Sequence, residues 1–492
     1  MPSKTRKFVV CSGFGPSHNL GVYNNNVDTV ERAFAERYFL CKEGDTFRPA
    51  HQVKSRAFRS VGLQKFRAKV LEGMPALPQL TRQQVVDRYV GPKKRVYEAA
   101  HLSLQRQPLS ETDARLSSFV KFEKQDVQKA PRVINPRSAR FNLELGRYIK
   151  HAEHKFFTSI NRAFGKRTHA TVIKGFNADK SAQILRQKWD LFLHPVAVGL
   201  DASKFDMHVS VPALRYEHSF YRALFPGSQK LRKMLKWQEI NKGVAYTNDG
   251  SVEFEMVGTR SSGDLNTSLG NCLLMCALVY DYAEERGIDL ELCNNGDDCV
   301  VMMEQTHLQQ FMEGLSMWFV RKGFSMVVEK PVYEFERIEF CQTRPVRLGS
   351  GWRMVRNHSA VLNKDPMCLL SVPNDAVYRK WLDAVGTCGL VLSSGVPVQN
   401  AMYGVFKRHG TPAGKLVAEV FRNTSMAERI EALAGGMITP EARVSYYYAF
   451  GVLPDVQKEM ERYYDRMVIA PFNPAECERE DLRLEPGLIV NN

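Results

Sequence analysis

Three carboxylates, Asp201, Asp297 and Asp298, follow short apolar runs. Asp201 ends the run Val196-Ala197-Val198-Gly199-Leu200, and Asp206 comes five residues later. Asp297 and Asp298 sit in Asn294-Asn295-Gly296-Asp297-Asp298, with Cys299-Val300-Val301 immediately after. Two neighbouring strands that each end in a carboxylate can hold two divalent cations a few ångströms apart, the geometry for in-line phosphoryl or nucleotidyl transfer. No His or Cys is spaced to join them. Mg²⁺ fits such a donor set, because it takes carboxylate, phosphate and water oxygens. Alone the signal is weak: at average Gly and Asp frequencies, a chain of this length contains Gly-Asp-Asp by chance in roughly one case in ten.

Two further groups lie near these carboxylates in the sequence. Arg260-Ser261-Ser262-Gly263-Asp264-Leu265-Asn266-Thr267 leads into an apolar stretch containing Asn271. Gly263, Thr267 and Asn271 are spaced i, i+4, i+8, which predicts one helical face. Thr and Asn offer a hydroxyl and an amide to a sugar or base, and Gly lets a backbone come close. Upstream, Lys121, Lys124, Lys129, Arg132 and Arg137 are braced by Pro131 and Pro136. Fixed cations of this kind can grip a triphosphate.

The elements that must position these residues are readable in outline. The Asp201 run reads as a strand, and Gly-Asp-Asp as the tip of a β-hairpin. Residues 119–347 alternate short strands with helices, an α+β or α/β signature. Nearer the N-terminus, Val30, Phe34 and Tyr38 recur at helical spacing, with Asp28 and Thr29 as candidate caps. Residues 42–70 carry eight Lys/Arg against two acids. Phe47, Phe58 and Phe66 interleave with those charges, which suits a surface that meets a polynucleotide backbone. A helix-rich stretch then runs to about Arg106. After Asn357 the chain reads as mostly helical, with helical periodicity at 417–421 and 426–433. No repeat and no flexible linker interrupts it.

Composition bounds the answer. The chain has 492 residues, 44% hydrophobic and 25% charged, which excludes a disordered tail, a collagen-like fibre and a small disulfide scaffold. The net charge of +15 favours a polyanionic partner, nucleic acid first and anionic membrane second. Ten scattered cysteines without C-x-x-C spacing read as reduced thiols of a cytosolic protein. His151 and His154 beside Glu153 read as a solvated helix face rather than a metal site. No apolar run reaches about 18 residues, so no segment is expected to span a bilayer. The basic N-terminus lacks the apolar core of a secretory signal. Neither a P-loop nor a dinucleotide fingerprint occurs, so an ATPase, a helicase or a Rossmann oxidoreductase is unsupported.

The order of the four groups resembles motifs F, A, B and C of viral RNA-dependent RNA polymerases. The spelling is close to that of one plant-virus group, the tombusvirus family with its umbravirus and luteovirus-like relatives. Lys174-Gly175-Phe176-Asn177, Asp201-Ala202-Ser203-Lys204-Phe205-Asp206, the 260–267 string and Asn294-Asn295-Gly296-Asp297-Asp298 carry the likeness. Ile338-Glu339-Phe340-Cys341-Gln342 looks like motif E, and Val355-Arg356-Asn357 like the segment after it. The resemblance implies an α+β right hand: an N-terminal segment and fingers over 1–195, a palm of antiparallel sheet and helices over 196–345 with a fingers insertion about 212–255, and a helical thumb over 346–492.

It also implies an activity, RNA-directed RNA synthesis that replicates a positive-strand RNA virus genome from NTPs. Asp201, Asp297 and Asp298 would be the catalytic metal ligands, with Mg²⁺ as cofactor and Mn²⁺ as the alternative. Lys121, Lys129, Arg132, Asp206, Ser262, Gly263, Thr267 and Asn271 would bind the nucleotide. Lys330 and Lys322 compete as general acid to pyrophosphate. Expected partners are a single-stranded RNA template, the RNA product and a viral membrane-targeting replication protein. Family members usually carry this domain behind a membrane-targeting segment, and none is recognisable here. Localisation is therefore expected to be host cytoplasm, at membrane-bound replication sites reached through a partner or a missing N-terminal extension. A reverse transcriptase and a non-enzymatic RNA-binding protein are the competing readings.

Overall fold

The structure, a computed structural model, describes residues 4–14, 19–43, 46–49, 53, 56–164, 170–414 and 436–485. The helical periodicity at 417–421 and 426–433 lies outside the described residues. Helices and strands are mixed throughout.

A four-stranded antiparallel sheet occupies the centre, in the order Leu290–Asn295, Asp298–Glu304, Pro195–Ser203, Ser325–Val328. Alternate residues of Pro195–Ser203 enter two different cores. Val196, Val198 and Leu200 face a large core of helices, while Ala197 packs with Trp189, Phe335 and Ile338 on the other side. A strand buried on both faces needs apolar residues at consecutive positions, which is why it reads as an unbroken apolar run. The helix Thr267–Arg286 is buried at every residue from Leu269 to Tyr282. It is apolar all round because it runs through the core rather than over it. It stops at Gly287, whose φ of 64° gives the left-handed cap that glycine adopts without a Cβ clash.

A second sheet brings residues far apart in sequence together. Leu116–Val120 pairs antiparallel with Val133–Ile134 and parallel with Ile240–Tyr246, which in turn pairs with Ser251–Val257. The second half of the 212–255 segment thus joins the sheet that carries the basic loop.

Three local expectations are corrected. The cap of the helix Val27–Phe34 is Asn26, neither Asp28 nor Thr29: Asn26 is extended, and its side chain accepts from the Thr29 amide. Phe58 and Phe66 are core residues, so they do not form a surface with the neighbouring charges. The strand Lys7–Val10 pairs with Met367–Cys368 and Glu478–Glu480. Its Val9, with Cys11 and Phe14, packs among residues 346–477. The first residues therefore build the C-terminal core, a long-range pairing with no local sequence signal. All ten cysteines are free thiols.

Candidate active site

Asp201 and Asp298 face one another across adjacent antiparallel strands, and Asp297 occupies the turn between Asn295 and Asp298. The two-residue turn needs a positive φ, and Gly296 supplies it at 88°. Asp201 and Asp297 are exposed, whereas Asp298 is half-buried. Asp298 Oδ2 accepts the Cys341 amide at 2.9 Å, and the Asn295 amide donates to Cys341 Sγ at 3.0 Å. Cys341 and Gln342 have φ of 52° and 60°. Two non-glycine residues in the left-handed region carry a backbone cost that the surrounding contacts must offset. That turn, in the motif E-like string, braces the Gly-Asp-Asp tip.

The electrostatics favour a cation. Burial, then the neighbouring Asp201 and Asp297, pushes the Asp298 carboxyl up to about 6. Asp297, accessible at the turn tip but partly desolvated by the protein around it, is raised by that desolvation and by Asp201, and is pulled back by its own backbone amide, Lys174 and Arg132. Like charges held together in this way are relieved by a positive ion between them. Among the described residues, no three His, Cys, Asp or Glu side chains are already gathered as a metal cluster. The donor set still fits Mg²⁺, which commonly takes one or two carboxylates and completes its shell with substrate phosphates and water.

Asn271 reaches the same region from the helix Thr267–Arg286. Its amide donates to Asp206 Oδ1 at 3.2 Å, and its Oδ1 accepts from Arg260 Nε at 3.0 Å. Arg260 in turn forms an ion pair with Glu217, both side chains fully buried. With the Asn271 oxygen occupied by Arg260, its nitrogen must face Asp206, leaving one N–H for a ligand. Burial is the largest influence on Asp206 and raises it to about 6 against the pull of Asn271 and Arg260.

The predicted helical face of Gly263, Thr267 and Asn271 holds only in part. Gly263 precedes the helix, which starts at Thr267. A Cβ on Gly263 would stand 2.6 Å from the Asn135 oxygen and Pro136, so glycine is required where the loop packs on residues 135–136. Thr267 Oγ1 donates to the Ser261 carbonyl at 2.7 Å, and Ser262 Oγ to the Val133 carbonyl at 3.4 Å. The small-residue loop is thereby tied to the basic loop. Arg137, one of the five cations, is buried against Asp264 and is not available to a phosphate. Lys124 donates to the Lys364 carbonyl. Lys121 and Arg132 converge on Glu123 at 2.6 and 3.2 Å, and Lys129 is exposed in the turn between them.

Lys322 does not fit the general-acid role. Its ammonium is buried against Asp281 at 2.7 Å, with Ser60 and the Ala57 carbonyl as further acceptors. Asp281 lies ten residues beyond Asn271 on one helix, about 15 Å at 1.5 Å per residue. Lys330 is exposed and lies just past Glu329, whose amide bonds the Gly199 carbonyl. That places its backbone about 10 Å along the sheet from Asp201 at 3.3 Å per residue.

Three contributors escaped the sequence reading. The Arg260–Glu217 pair positions Asn271, yet only the Arg was in a recognisable string. The Cys341 amide steadies Asp298, and a backbone donor leaves no residue signature. Glu329 places its carboxylate over Gly199 and is raised by burial, then by Glu339, Asp298 and Asp201. Lys174, in the quoted 174–177 string, has its Nζ 3.8 Å from where a Cβ on Gly296 would stand.

Comparison with known proteins identifies the family. The family model described as viral RNA dependent RNA polymerase matches residues 1–470. The protein named RNA-directed RNA polymerase of Tobacco necrosis virus (strain A) is 42% identical over 475 residues, covering 94% of this chain and 64% of its own length. That of Tomato bushy stunt virus (strain Cherry) is 40% identical, covering 94% of this chain and 56% of its own length. That of Turnip crinkle virus is 35% identical, covering 97% and 62%. The chain thus spans 56–64% of the length of these relatives. With a family model covering nearly all of it and its motifs gathered around one pair of strands, this chain belongs to the viral RNA-dependent RNA polymerase family.

Proposed function

We propose that this chain is an RNA-directed RNA polymerase, a nucleotidyltransferase that copies a positive-strand RNA virus genome from NTPs onto an RNA 3′-OH. The observation that carries the reading is the pairing of Asp201 with Asp298 beside Asp297, with the Asn271–Asp206 bond reaching the same region. In this reading residues 196–345 form the palm, 1–195 with part of 212–255 the fingers, and 346–492 the thumb. The strand Lys7–Val10 is a staple to the thumb.

Asp201 and Asp297, with Asp298 alongside, would hold Mg²⁺ or Mn²⁺. Such ions supply charge stabilisation at the attacking and leaving oxygens of an in-line displacement. Lys121, Arg132 and Lys129 bind the triphosphate and draw off the charge that develops on pyrophosphate. Arg132 and Lys121 exchange Glu123 for phosphate as they do so. Asp206 accepts the ribose 2′-OH hydrogen, and the free N–H of Asn271 donates to its oxygen; Thr267, Ser262 and Gly263 set the loop against the basic segment. The 2′-OH distinguishes RNA from DNA precursors. Lys330 donates a proton to the departing pyrophosphate. Base pairing selects the nucleotide, and the protein grips the template backbone.

Among the described residues, no helix is long and apolar enough to cross a membrane. We assign delivery to membrane-bound replication sites in the host cytoplasm to a viral replication protein or to sequence outside this chain. The test is incorporation of labelled NTPs on an RNA template with Mg²⁺ by the wild-type and Asp297→Ala proteins. Synthesis by the first alone supports the assignment. RNA binding by both without synthesis by either overturns it for this chain by itself.

A further inference from the structure

The excess positive charge is not confined to the catalytic region. Four surface hollows, of about 540, 320, 320 and 840 Å³, adjoin one another. Each shares a lining residue with the next. Arg59 borders the first and second, Arg215 the second and third, and Lys236 the third and fourth. Eleven Lys and Arg, besides Lys322 whose ammonium is spent on Asp281, line them against three Glu. Of the three, Glu239 is paired with Arg215 at 2.7 Å and Glu285 accepts the Trp318 indole N–H.

None of Asp201, Asp206, Asp297 or Asp298 lines these hollows. Glu285, at the first hollow, is fourteen residues beyond Asn271 on the same helix, about 21 Å away. The fourth hollow adds an aromatic. Trp237 is half-buried in its wall, with Lys233 Nζ 5.3 Å from the ring centroid. The helix Gln229–Trp237 buries Leu231, Met234 and Leu235 and turns Arg232, Lys233 and Lys236 outward. A row of adjoining cationic hollows with an aromatic in the wall of one has the parts of a single-strand nucleic-acid track, in which cations follow the phosphates and bases stack. A row of concave hollows suits a flexible polyanion better than a flat membrane surface.

We propose that this row of hollows is a second RNA-binding track, separate from the catalytic centre, that holds single-stranded RNA along its backbone with Trp237 as a stacking platform. It rests on the polymerase reading for the identity of the polyanion. The track would raise affinity for long templates while leaving the chemistry of short ones untouched, because linked sites act through effective concentration.

The test compares the full chain with its Arg232→Ala/Lys233→Ala/Lys236→Ala variant. Binding of a long single-stranded RNA is read by fluorescence anisotropy across a salt series. Loss of three phosphate contacts should flatten the slope of log K against log salt by about 2, at about 0.7 per contact. Affinity at 0.1 M salt should fall about tenfold or more. The Lys233→Arg/Lys236→Arg variant should keep wild-type affinity, and Trp237→Leu should lose about fivefold or more with little change in slope. Extension of a short primed template should match wild type in kcat/KM for all of them. Unchanged long-RNA affinity and slope in the triple variant overturns the track. So does loss of binding to phosphatidylserine vesicles with RNA binding intact. Wild type that binds long RNA through the track but extends no template would sink the polymerase reading alone.

Discussion

The backbone amide of Cys341 donates to Oδ2 of Asp298 at 2.9 Å. One carboxylate of the Gly-Asp-Asp turn is therefore partly satisfied by the protein, while Asp297 stands exposed beside Asp201. The two adjacent aspartates should not be equivalent. Asp297→Asn should lower synthesis by at least about 10³-fold, comparable to removing a main transition-state charge stabiliser. Asp298→Asn keeps an acceptor for Cys341 and should cost less. Single-turnover rates with RNA affinity measured alongside decide this, and equal losses would remove the distinction.

Asn271 has its oxygen taken by Arg260 and its nitrogen aimed at Asp206. Asn271→Ala should therefore relax the preference for rNTP over dNTP by about tenfold or more, the order of one lost hydrogen bond to a partly charged site. Competition between the two nucleotides measures it, and unchanged selectivity would refute the role. Arg260→Met should instead unfold the region, costing about 3–5 kcal/mol, because it leaves Glu217 charged and buried.

Glu123 holds both Lys121 and Arg132. Arg132→Ala should raise KM for NTP several-fold, and Glu123→Gln should lower it by releasing both cations. Steady-state kinetics at fixed template check the pair of opposite signs, and two changes of the same sign contradict the arrangement.

Lys330 and Lys322 separate by what each disturbs. Lys330→Leu should reduce kcat about 10²-fold, within the range for a lost general acid, with stability unchanged. Lys322→Met should leave the pH dependence of kcat intact and cost about 3–5 kcal/mol by stranding buried Asp281. Denaturation curves beside pH–rate profiles tell them apart.

His358 is buried, and burial lowers its pKa from 6.5 to about 4. The folded state keeps it neutral while the unfolded chain takes up a proton near 6.5. Its contribution is therefore fully present above pH 6.5 and is lost as pH falls, by about 3 kcal/mol near pH 4. His358→Gln retains a partner for the Tyr464 hydroxyl, which lies 2.9 Å from Nε2. The variant should lose less stability than wild type between pH 6.5 and 4.5 in urea titrations. Parallel curves would discount the histidine.

Much of the site is legible in local sequence, because strand and turn patterns are local. The apolar run before Asp201 and the glycine before Asp297 suffice to predict a strand end and a hairpin tip, and both elements form. Helix starts were less legible. Gly263 keeps helical spacing to Thr267, yet its lack of a side chain serves the contact with residues 135–136. Asn266, at the helix start, spends its side chain on Glu217 and Gln238 rather than on a cap.

The sequence by itself determined which residues could do chemistry, and the order in which the chain presents them. Only the tertiary structure decided which cations are accessible to a ligand. Arg137 and Lys322 look as available in sequence as Arg132 and Lys330, but each is buried against an aspartate distant in the chain. It alone also joined Lys7–Val10 to Glu478–Glu480, and set separate arginines and lysines around adjoining hollows. The reason is physical. A charge or an edge strand is satisfied by whatever packing brings near it, and chain-distant partners leave no trace in its own neighbourhood.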